Sequence, residues 1–372
     1  MKKRLYLMVL MPLVALLAGW GHAAETIKIG VVGAHSGDLA SYGLPTVNAV
    51  HFVLDEVNAK GGILGKQVEM IQVDDACKPE VAANAAQKIV SEKVNAVIGP
   101  ICSGATKAAL GIYRDARIIT ISPSATNVDL TNSGEYPNFF RTIAPDDAQA
   151  RLEVDFAVTH LKLKSLAVIH DKGDYGKGLA EFARGFLEKA GAMVLLFEGV
   201  TPGAVDYSAI VQKIRQSGAE GVIYGGYHPE AAKIVMAMRK KKMKTFFISD
   251  DGVKDDTFIK VAGKYAEGVY ATGPIDTTQS PMAIAAIEQH RKALSADPGA
   301  FYLNAHAAIR ALLNAMDKAG STDYDAVAKA LRTEWVETPL GKISFDDKGD
   351  AEGIGFSMYR VTDGKFETPE AP

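Results

Sequence analysis

The stretch Asn95-Ala-Val-Ile-Gly-Pro-Ile-Cys-Ser-Gly-Ala-Thr106 joins an apolar run of strand length to a loop of hydroxyls and small residues. The stretch Ile118-Ile-Thr-Ile-Ser-Pro-Ser-Ala-Thr126 repeats this arrangement. Loops at the carboxyl ends of strands in an α/β sheet are where ligands bind, and hydroxyl and N–H groups at a helix start suit a carboxylate. Serine and threonine also favour ordinary turns and N-caps, so one such loop is ambiguous. Two of them on successive strands favour a binding site.

Strand and helix patterns alternate along the rest of the chain. Valine- and isoleucine-rich runs typical of buried parallel strands occur at 27–32, 68–73, 95–98, 118–121, 165–169, 193–197, 221–224, 245–248 and 268–271. Helical patterns occur at 46–59, 79–93, 175–190, 206–217, 229–241, 280–294 and 301–318. The order restarts near residue 165, which predicts two similar α/β lobes. The short crossing segments 142–146 and 272–276 predict a hinge with a cleft between the lobes.

The first residues predict a secretory signal. Lys2, Lys3 and Arg4 precede an apolar run that ends at Gly21-His-Ala23, a small-x-small cleavage site. The apolar run is short for a bilayer span, which disfavours the alternative of a membrane anchor. Removing residues 1–23 from the 372-residue chain leaves 349 residues, a length that suggests two domains. It also leaves 38 basic and 44 acidic side chains, a formal charge of −6 that disfavours nucleic acid as a partner.

The chain has two cysteines, Cys77 and Cys102. Cysteines of an exported protein are more often paired than free, so we predict a disulfide worth about 3 kcal/mol in the chain-entropy model. A metal site is the alternative, but no histidine lies near either cysteine in sequence. The neighbouring pair Asp74-Asp75 has the composition of a metal site, although a turn at a strand end is favoured.

With these residues laid out, the chain resembles the periplasmic leucine/isoleucine/valine-binding proteins of ABC importers from about Glu25 to Phe366. The most specific matches are Val31–Gly37 with Tyr42-Gly43, Asp74–Cys77, Cys102-Ser103, Ser122–Thr126, His170–Gly176 and Tyr224–Glu230. The resemblance implies a type I periplasmic-binding fold, an α/β architecture of two doubly wound lobes joined by three crossovers. It divides the chain into a signal peptide (1–23), an N-terminal lobe (24–144 with 275–352) and a C-terminal lobe (145–274 with 353–372).

The resemblance also implies roles for individual residues in binding an amino acid. The family's carboxylate-binding serine corresponds to Ser103, while Ser124 offers a carbonyl to the ammonium and Thr126 a hydroxyl and N–H to the head group. Asp251 stands where the family usually has glutamate, so its shorter chain would need water or a slightly different ligand; Asp250 is less favoured. The ligand side chain would be enclosed by Tyr42, Ile101, Cys102, Tyr175, Tyr227 and Phe301.

The predicted function is that of a periplasmic substrate-binding component of an ABC transport system for amino acids. A branched-chain ligand is favoured, bound by a monomer that works with a membrane permease and needs no cofactor or metal. The alternatives are a binding protein for another small amino acid or amide, and a periplasmic ligand sensor. An exported hydrolase is disfavoured because the chain has neither a Gly-x-Ser-x-Gly nor a His-Glu-x-x-His motif. Pockets discriminate single methylenes by only about 1–3 kcal/mol, so leucine is not ranked against isoleucine, valine or alanine.

Overall fold

A computed structural model describes residues 26–369 of the chain, and the predicted signal peptide lies outside the described residues. The first sheet contains β1 (Ile27–Gly33), β2 (Val68–Asp74), β3 (Ala96–Ile98), β4 (Ile119–Ser122) and β5 (Phe139–Arg141). These strands are parallel and lie in the order β2-β1-β3-β4-β5. The strand order changes direction between β1 and β3, and ligands of open α/β sheets bind at such switch points.

The second sheet is larger and mixed. It begins with β6 (Ser165–His170), β7 (Met193–Gly199), β8 (Gly221–Gly225), β9 (Phe246–Ser249) and β10 (Tyr270–Pro274). After a small hairpin, β11 (Val336–Thr338) and β12 (Gly341–Ile343), the chain returns as β13 (Phe356–Thr362) and β14 (Lys365–Glu367). The order is β14-β13-β10-β9-β8-β6-β7. Strand β13 is antiparallel to β10 and to β14, while the other pairs are parallel.

Helices cover both sheets. Those within the first part of the chain are α1 (Ala40–Ala59), α2 (Pro79–Ser91), α3 (Ser103–Asp115) and α4 (Asp129–Asn132). The next are α5 (Asp146–Asp155), continued by a π-helical turn (Phe156–His160), then α6 (Asp174–Lys189), α7 (Ser208–Ser217), α8 (His228–Lys240) and α9 (Asp256–Ala262), continued by a 3₁₀ turn (Gly263–Ala266). The last are α10 (Pro281–Leu294), α11 (Tyr302–Ala319) and α12 (Tyr324–Thr333). Among the described residues, no helix combines the length and the apolar character that crossing a bilayer requires.

The chain passes between the two sheets three times. It leaves the first sheet after β5, returns after β10 to place α11 against α1, and leaves again before β13. Two of these crossovers are tied to neighbouring helices: Thr142 exchanges two hydrogen bonds with Asn304, of 2.8 and 2.7 Å, and the Thr272 hydroxyl donates to Glu153 at 3.2 Å. Short, bonded crossovers allow the lobes to rotate about them as rigid bodies.

Helix α1 differs from its prediction. It begins at Ala40 rather than at residue 46 and contains Pro45 near its N-terminus. The early start is possible because Gly43 lets the helix lie directly against the loop after β1: a Cβ atom there would be 1.9 Å from the Ala34 carbonyl oxygen. The additional turn carries Tyr42, which is 2% exposed, into the space between the lobes.

Candidate functional site

A small cavity lies between the lobes, at the carboxyl ends of the strands. Its walls bring together nine of the ten predicted site residues and add Gly252: they are Tyr42, Ile101, Cys102, Ser103, Ser124, Tyr175, Tyr227, Asp251, Gly252 and Phe301. The tenth predicted residue, Thr126, lies outside the cavity wall and is fully buried behind it. Residues separated by up to 259 positions in the sequence therefore converge on one enclosed space.

The loop after β3 delivers the start of helix α3 to this cavity. Gly99, with a φ of +101°, makes the turn, and a Cβ there would be 1.9 Å from the Val32 carbonyl oxygen. Cys102 precedes the first helical residue, Ser103, and its side chain makes no capping bond. The Ser103 hydroxyl oxygen accepts a hydrogen bond from the Asn127 N–H at 3.2 Å, which leaves its proton free to donate. The hydroxyl and the first N–H groups of α3 form a donor set suited to a carboxylate.

The loop after β4 is bound to the loop after β3 by its serines. The Ser122 hydroxyl donates to the Pro100 carbonyl at 2.6 Å, and the Ser124 hydroxyl donates to the Ile101 carbonyl at 2.8 Å. Thr126 holds the next segment, because its carbonyl accepts from the Asp146 N–H at 3.0 Å. The Thr126 hydroxyl has no hydrogen-bond partner among the described residues. The two loops predicted from the sequence thus form a single rigid wall.

The predicted disulfide is confirmed: Cys77 and Cys102 are bonded, with Cα atoms 5.6 Å apart. It ties the loop after β2 to the start of α3, beside the cavity. In the loop after β2, Asp74 accepts from the His35 and Ala76 N–H groups at 2.9 and 2.8 Å, and Asp75 accepts from the Cys77 N–H at 2.7 Å. These bonds give the aspartate pair the role of a strand-end turn.

The opposite wall carries a buried carboxyl group. The Tyr175 hydroxyl donates to Asp251 Oδ1 at 2.5 Å and accepts from the Gly252 N–H at 3.1 Å. Asp251 is 2% exposed, and its Oδ2 atom has no hydrogen-bond partner among the described residues. Burial raises the pKa of Asp251 to about 7, against the lowering effect of the Tyr175 hydrogen bond. A cation placed beside Oδ2 would supply both the missing donor and the missing charge.

Aromatic rings complete the enclosure. The Tyr42 ring lies 6.0 Å from the Tyr227 ring and 5.9 Å from the Phe301 ring, and Tyr175 lies 5.1 Å from Tyr227, measured between centroids. Phe301 occupies the left-handed region, with a φ of +59°, directly before α11. Together with Ile101, these rings provide an apolar surface for an aliphatic side chain, whose burial is worth about 25 cal/mol per Å².

Direct contacts across the cleft show that the lobes are closed. The Tyr42 hydroxyl of the first lobe donates to the Gly252 carbonyl of the second at 2.5 Å. On the other side of the cavity, the Asn127 amide donates to the Asp174 carbonyl at 2.7 Å, and Lys107 forms an ion pair with the Asp174 carboxylate at 3.4 Å. A ligand in the cavity would therefore be held by both lobes.

A group of buried carboxyls lies behind Asp251, and of these sequence reasoning considered only Asp250, as a less favoured partner for the ammonium. Asp146 and Glu153 lie on one face of α5 and are fully buried, as is Asp250. The Asp250 carboxylate accepts from the Gly226 N–H at 2.7 Å and is outside the cavity wall. Burial, and then the other carboxyls, raise the pKa of all three groups well above the usual range. The spacing of Asp146 and Glu153, two helical turns apart, was the available signal.

The chain matches the family model described as "Periplasmic binding protein" over residues 26–365. It is 36% identical over 347 residues to the leucine-, isoleucine-, valine-, threonine-, and alanine-binding protein of Pseudomonas aeruginosa, covering 93% of this chain and 92% of that protein. It is 36% identical over 337 residues to the Leu/Ile/Val-binding protein of Escherichia coli, with coverages of 90% and 91%. Among solved structures, the branched-chain amino acid transporter substrate-binding protein of Streptococcus pneumoniae in complex with isoleucine has a TM-score of 0.84 at 29% identity, with coverages of 92% and 98%. The chain therefore belongs to the periplasmic binding protein family and has its type I fold.

Proposed function

We propose that this protein is the substrate-binding component of an ABC transport system for amino acids, with a branched-chain amino acid as its ligand. The observation that carries the proposal is the polarity of one enclosed cavity. Hydroxyl and N–H donors of Ser103 and α3 lie in one lobe, the unpartnered carboxylate oxygen of Asp251 lies in the other, and aromatic walls stand between them. A zwitterion with an aliphatic side chain satisfies all three regions at once.

The head group of the ligand would bridge the two lobes. Its carboxylate would accept from the Ser103 hydroxyl and from the N–H groups at the start of α3, where the helix dipole also favours an anion. Its ammonium would donate to Asp251 Oδ2 and to the Ser124 carbonyl, while Thr126 would support this loop from behind the cavity wall. Because Ser103 and Asp251 belong to different lobes, both ends of the zwitterion are satisfied only when the lobes close.

The proposal extends to the setting of the protein. We expect a periplasmic monomer that begins at Ala24 and hands its ligand to a membrane permease. The intact mass of the exported protein tests the first part, because cleavage after Ala23 would remove residues 1–23 from the 372-residue chain. Retention of those residues would contradict it.

Calorimetry with three related ligands tests whether the site recognises both the carboxylate and the ammonium of an amino acid. L-leucine should bind to ligand-stripped protein, whereas 4-methylpentanoate lacks the ammonium and 3-methylbutylamine lacks the carboxylate. A site built to hydrogen-bond both groups should bind each analogue more than about a hundredfold more weakly. Isoleucine, valine and alanine, titrated alongside, would rank the side chains. If neither leucine nor the other three amino acids bind more tightly than the two analogues, the proposal is wrong.

A further inference from the structure

A histidine pairs with a serine across the cleft, outside the cavity wall. Ser41 lies in α1 of the first lobe, and His228 is the first residue of α8 in the second. The Ser41 hydroxyl oxygen and His228 Nε2 are 3.3 Å apart, although the residues are 187 positions apart in the sequence. The His228 ring also lies 5.4 Å from the Tyr42 ring, between centroids. This contact can exist only while the lobes are closed.

The two residues adjoin the ligand cavity without lining it. Ser41 precedes Tyr42, and His228 follows Tyr227, and both tyrosines are cavity walls. His228 is 2% exposed, and its Nδ1 atom has no hydrogen-bond partner among the described residues. Forming or breaking the His228–Ser41 contact should therefore change the positions of Tyr42 and Tyr227, which adjoin these residues in the chain and line the cavity.

The environment of His228 disfavours its charged form. Burial lowers the pKa of His228, and this effect exceeds the opposing attraction of Asp255 and Asp38. These two carboxylates, which lie before α9 and α1, and the Tyr42 phenol are the titratable groups that face the ring. The ring also begins a helix, where the positive end of the dipole disfavours a cation. In the closed protein these effects favour the neutral imidazole.

We propose that His228 is a positioning residue that latches the lobes through Ser41 in its neutral form, so that closure on a ligand releases a proton from His228 to solvent at low pH. The inference rests on the proposed function, since it needs a ligand that closes the lobes. Ser41 and His228 would act on binding through Tyr42 and Tyr227, without touching the ligand.

Proton linkage determines whether ligand affinity rises or falls with pH. In the open cleft the exposed imidazole should have a pKa near the ordinary value of about 6.5. Above that pH, His228 is neutral in both the open and the closed protein, so its contact with Ser41 forms without release of a proton. Below it the open form holds a proton that the closed form loses, so ligand affinity falls as pH decreases. Between pH 7.5 and 5.5 this contribution is at most about tenfold in Kd.

The test compares the Kd of L-leucine at pH 7.5 and 5.5 in four proteins by calorimetry. The carboxyls Asp251, Asp146, Glu153 and Asp250, whose pKa values are raised in the closed protein, also contribute to the pH dependence, and this contribution is common to all four proteins. His228→Gln keeps an amide near the position of Nε2 but cannot titrate. The factor by which its Kd rises from pH 7.5 to pH 5.5 should therefore be smaller than that of the natural protein, by up to about tenfold. His51→Gln removes an exposed histidine of α1 and should match the natural protein.

Ser41→Ala separates the contact from the titration. It should weaken binding at pH 7.5 by roughly fivefold, the loss of one neutral hydrogen bond, while keeping much of the pH dependence. Leucine binding at pH 7.5 by the natural protein reports on the proposed function. If leucine binds but His228→Gln keeps the natural ratio of Kd values, the latch alone is wrong. If the natural protein binds no amino acid, both proposals are overturned.

Discussion

Replacing Asp251 with asparagine should weaken amino-acid binding and, at the same time, make closure without ligand easier. The carboxylate is placed by Tyr175, which donates to Oδ1 at 2.5 Å, while Oδ2 has no partner among the described residues. Lys254 partly offsets the charge of this carboxylate, but closure without a ligand still leaves its Oδ2 without a hydrogen-bond donor. An ammonium ion would supply it, which gives a physical reason for the ligand to drive closure.

The substitution has two effects, on the contact with the ligand ammonium and on closure without ligand. Losing a charge-assisted hydrogen bond to an enclosed ammonium should cost about 1–4 kcal/mol, or roughly fivefold to a thousandfold in Kd. In the closed structure, burial raises the pKa of Asp251 from its ordinary value of 3.8 to about 7. Without ligand, the closed form is thus most stable, relative to the open form, below the pKa that Asp251 has in the open cleft. It becomes less stable as pH rises toward the pKa that Asp251 has in the closed protein. Asparagine does not incur that loss, which offsets part of the lost contact with the ligand.

Two measurements on Asp251→Asn check this reasoning. Calorimetry with L-leucine at pH 7.5 should show the weaker binding, and small-angle scattering of the ligand-free protein should show a more compact average shape than the natural protein. Asp250→Asn is the matched control for affinity, because its side-chain oxygen can still accept from the Gly226 N–H and it does not line the cavity.

One outcome would show that Asp251 does not hold the ligand ammonium. If Asp251→Asn binds leucine as tightly as the natural protein, another group holds the ammonium. A larger loss of affinity in Asp250→Asn than in Asp251→Asn would transfer that role to Asp250.

Three further predictions concern the other parts of the site. Ser103→Ala should weaken binding by about 1–3 kcal/mol, similarly for every amino acid bound, because the hydroxyl meets the head group; an effect confined to one ligand side chain in calorimetry would contradict this. Thiol titration of the unreduced protein should find no free thiol, and Cys77→Ser/Cys102→Ser should lose about 3 kcal/mol of unfolding free energy in denaturant titration; unchanged stability would count against it. Saturating L-leucine should reduce the radius of gyration and raise the melting temperature; a bound ligand with no compaction would refute hinge closure.

Local patterns predicted most of the repeated α/β units. Buried parallel strands must be apolar on both faces, so runs such as Val68–Asp74 and Ser165–His170 stood out within a residue or two of their bounds. Shorter elements escaped, among them β5 (Phe139–Arg141) and α12 (Tyr324–Thr333). Strand β5 has only three residues, which carry little periodicity. Helix α12 did carry a local signal that was overlooked, an Asp323 N-cap followed by apolar residues at helical spacing.

Site residues were predicted where local chemistry or family resemblance named them. Ser103 and Ser124 follow strands in hydroxyl-rich loops, a signal visible in a single stretch of sequence. The cross-cleft contacts gave no such signal, since Ser41 precedes the predicted helix and His228 is an ordinary helix-entry residue by local pattern. The same holds for the buried carboxyls behind Asp251, which look like solvated helix and turn positions until the helix is packed.

The sequence by itself determined the alternation of strands and helices, the two donor-rich loops and the family to which they belong, because these depend on residues close together in the chain. Only the tertiary structure decided which side chains meet. The pairing of Tyr175 with Asp251, the contact between Ser41 and His228, and the burial of Asp146 depend on two lobes folding toward each other about three crossovers. Burial and charge proximity are properties of that assembled arrangement, and they set the pKa of Asp251 and the closure of the cleft, which no local pattern encodes.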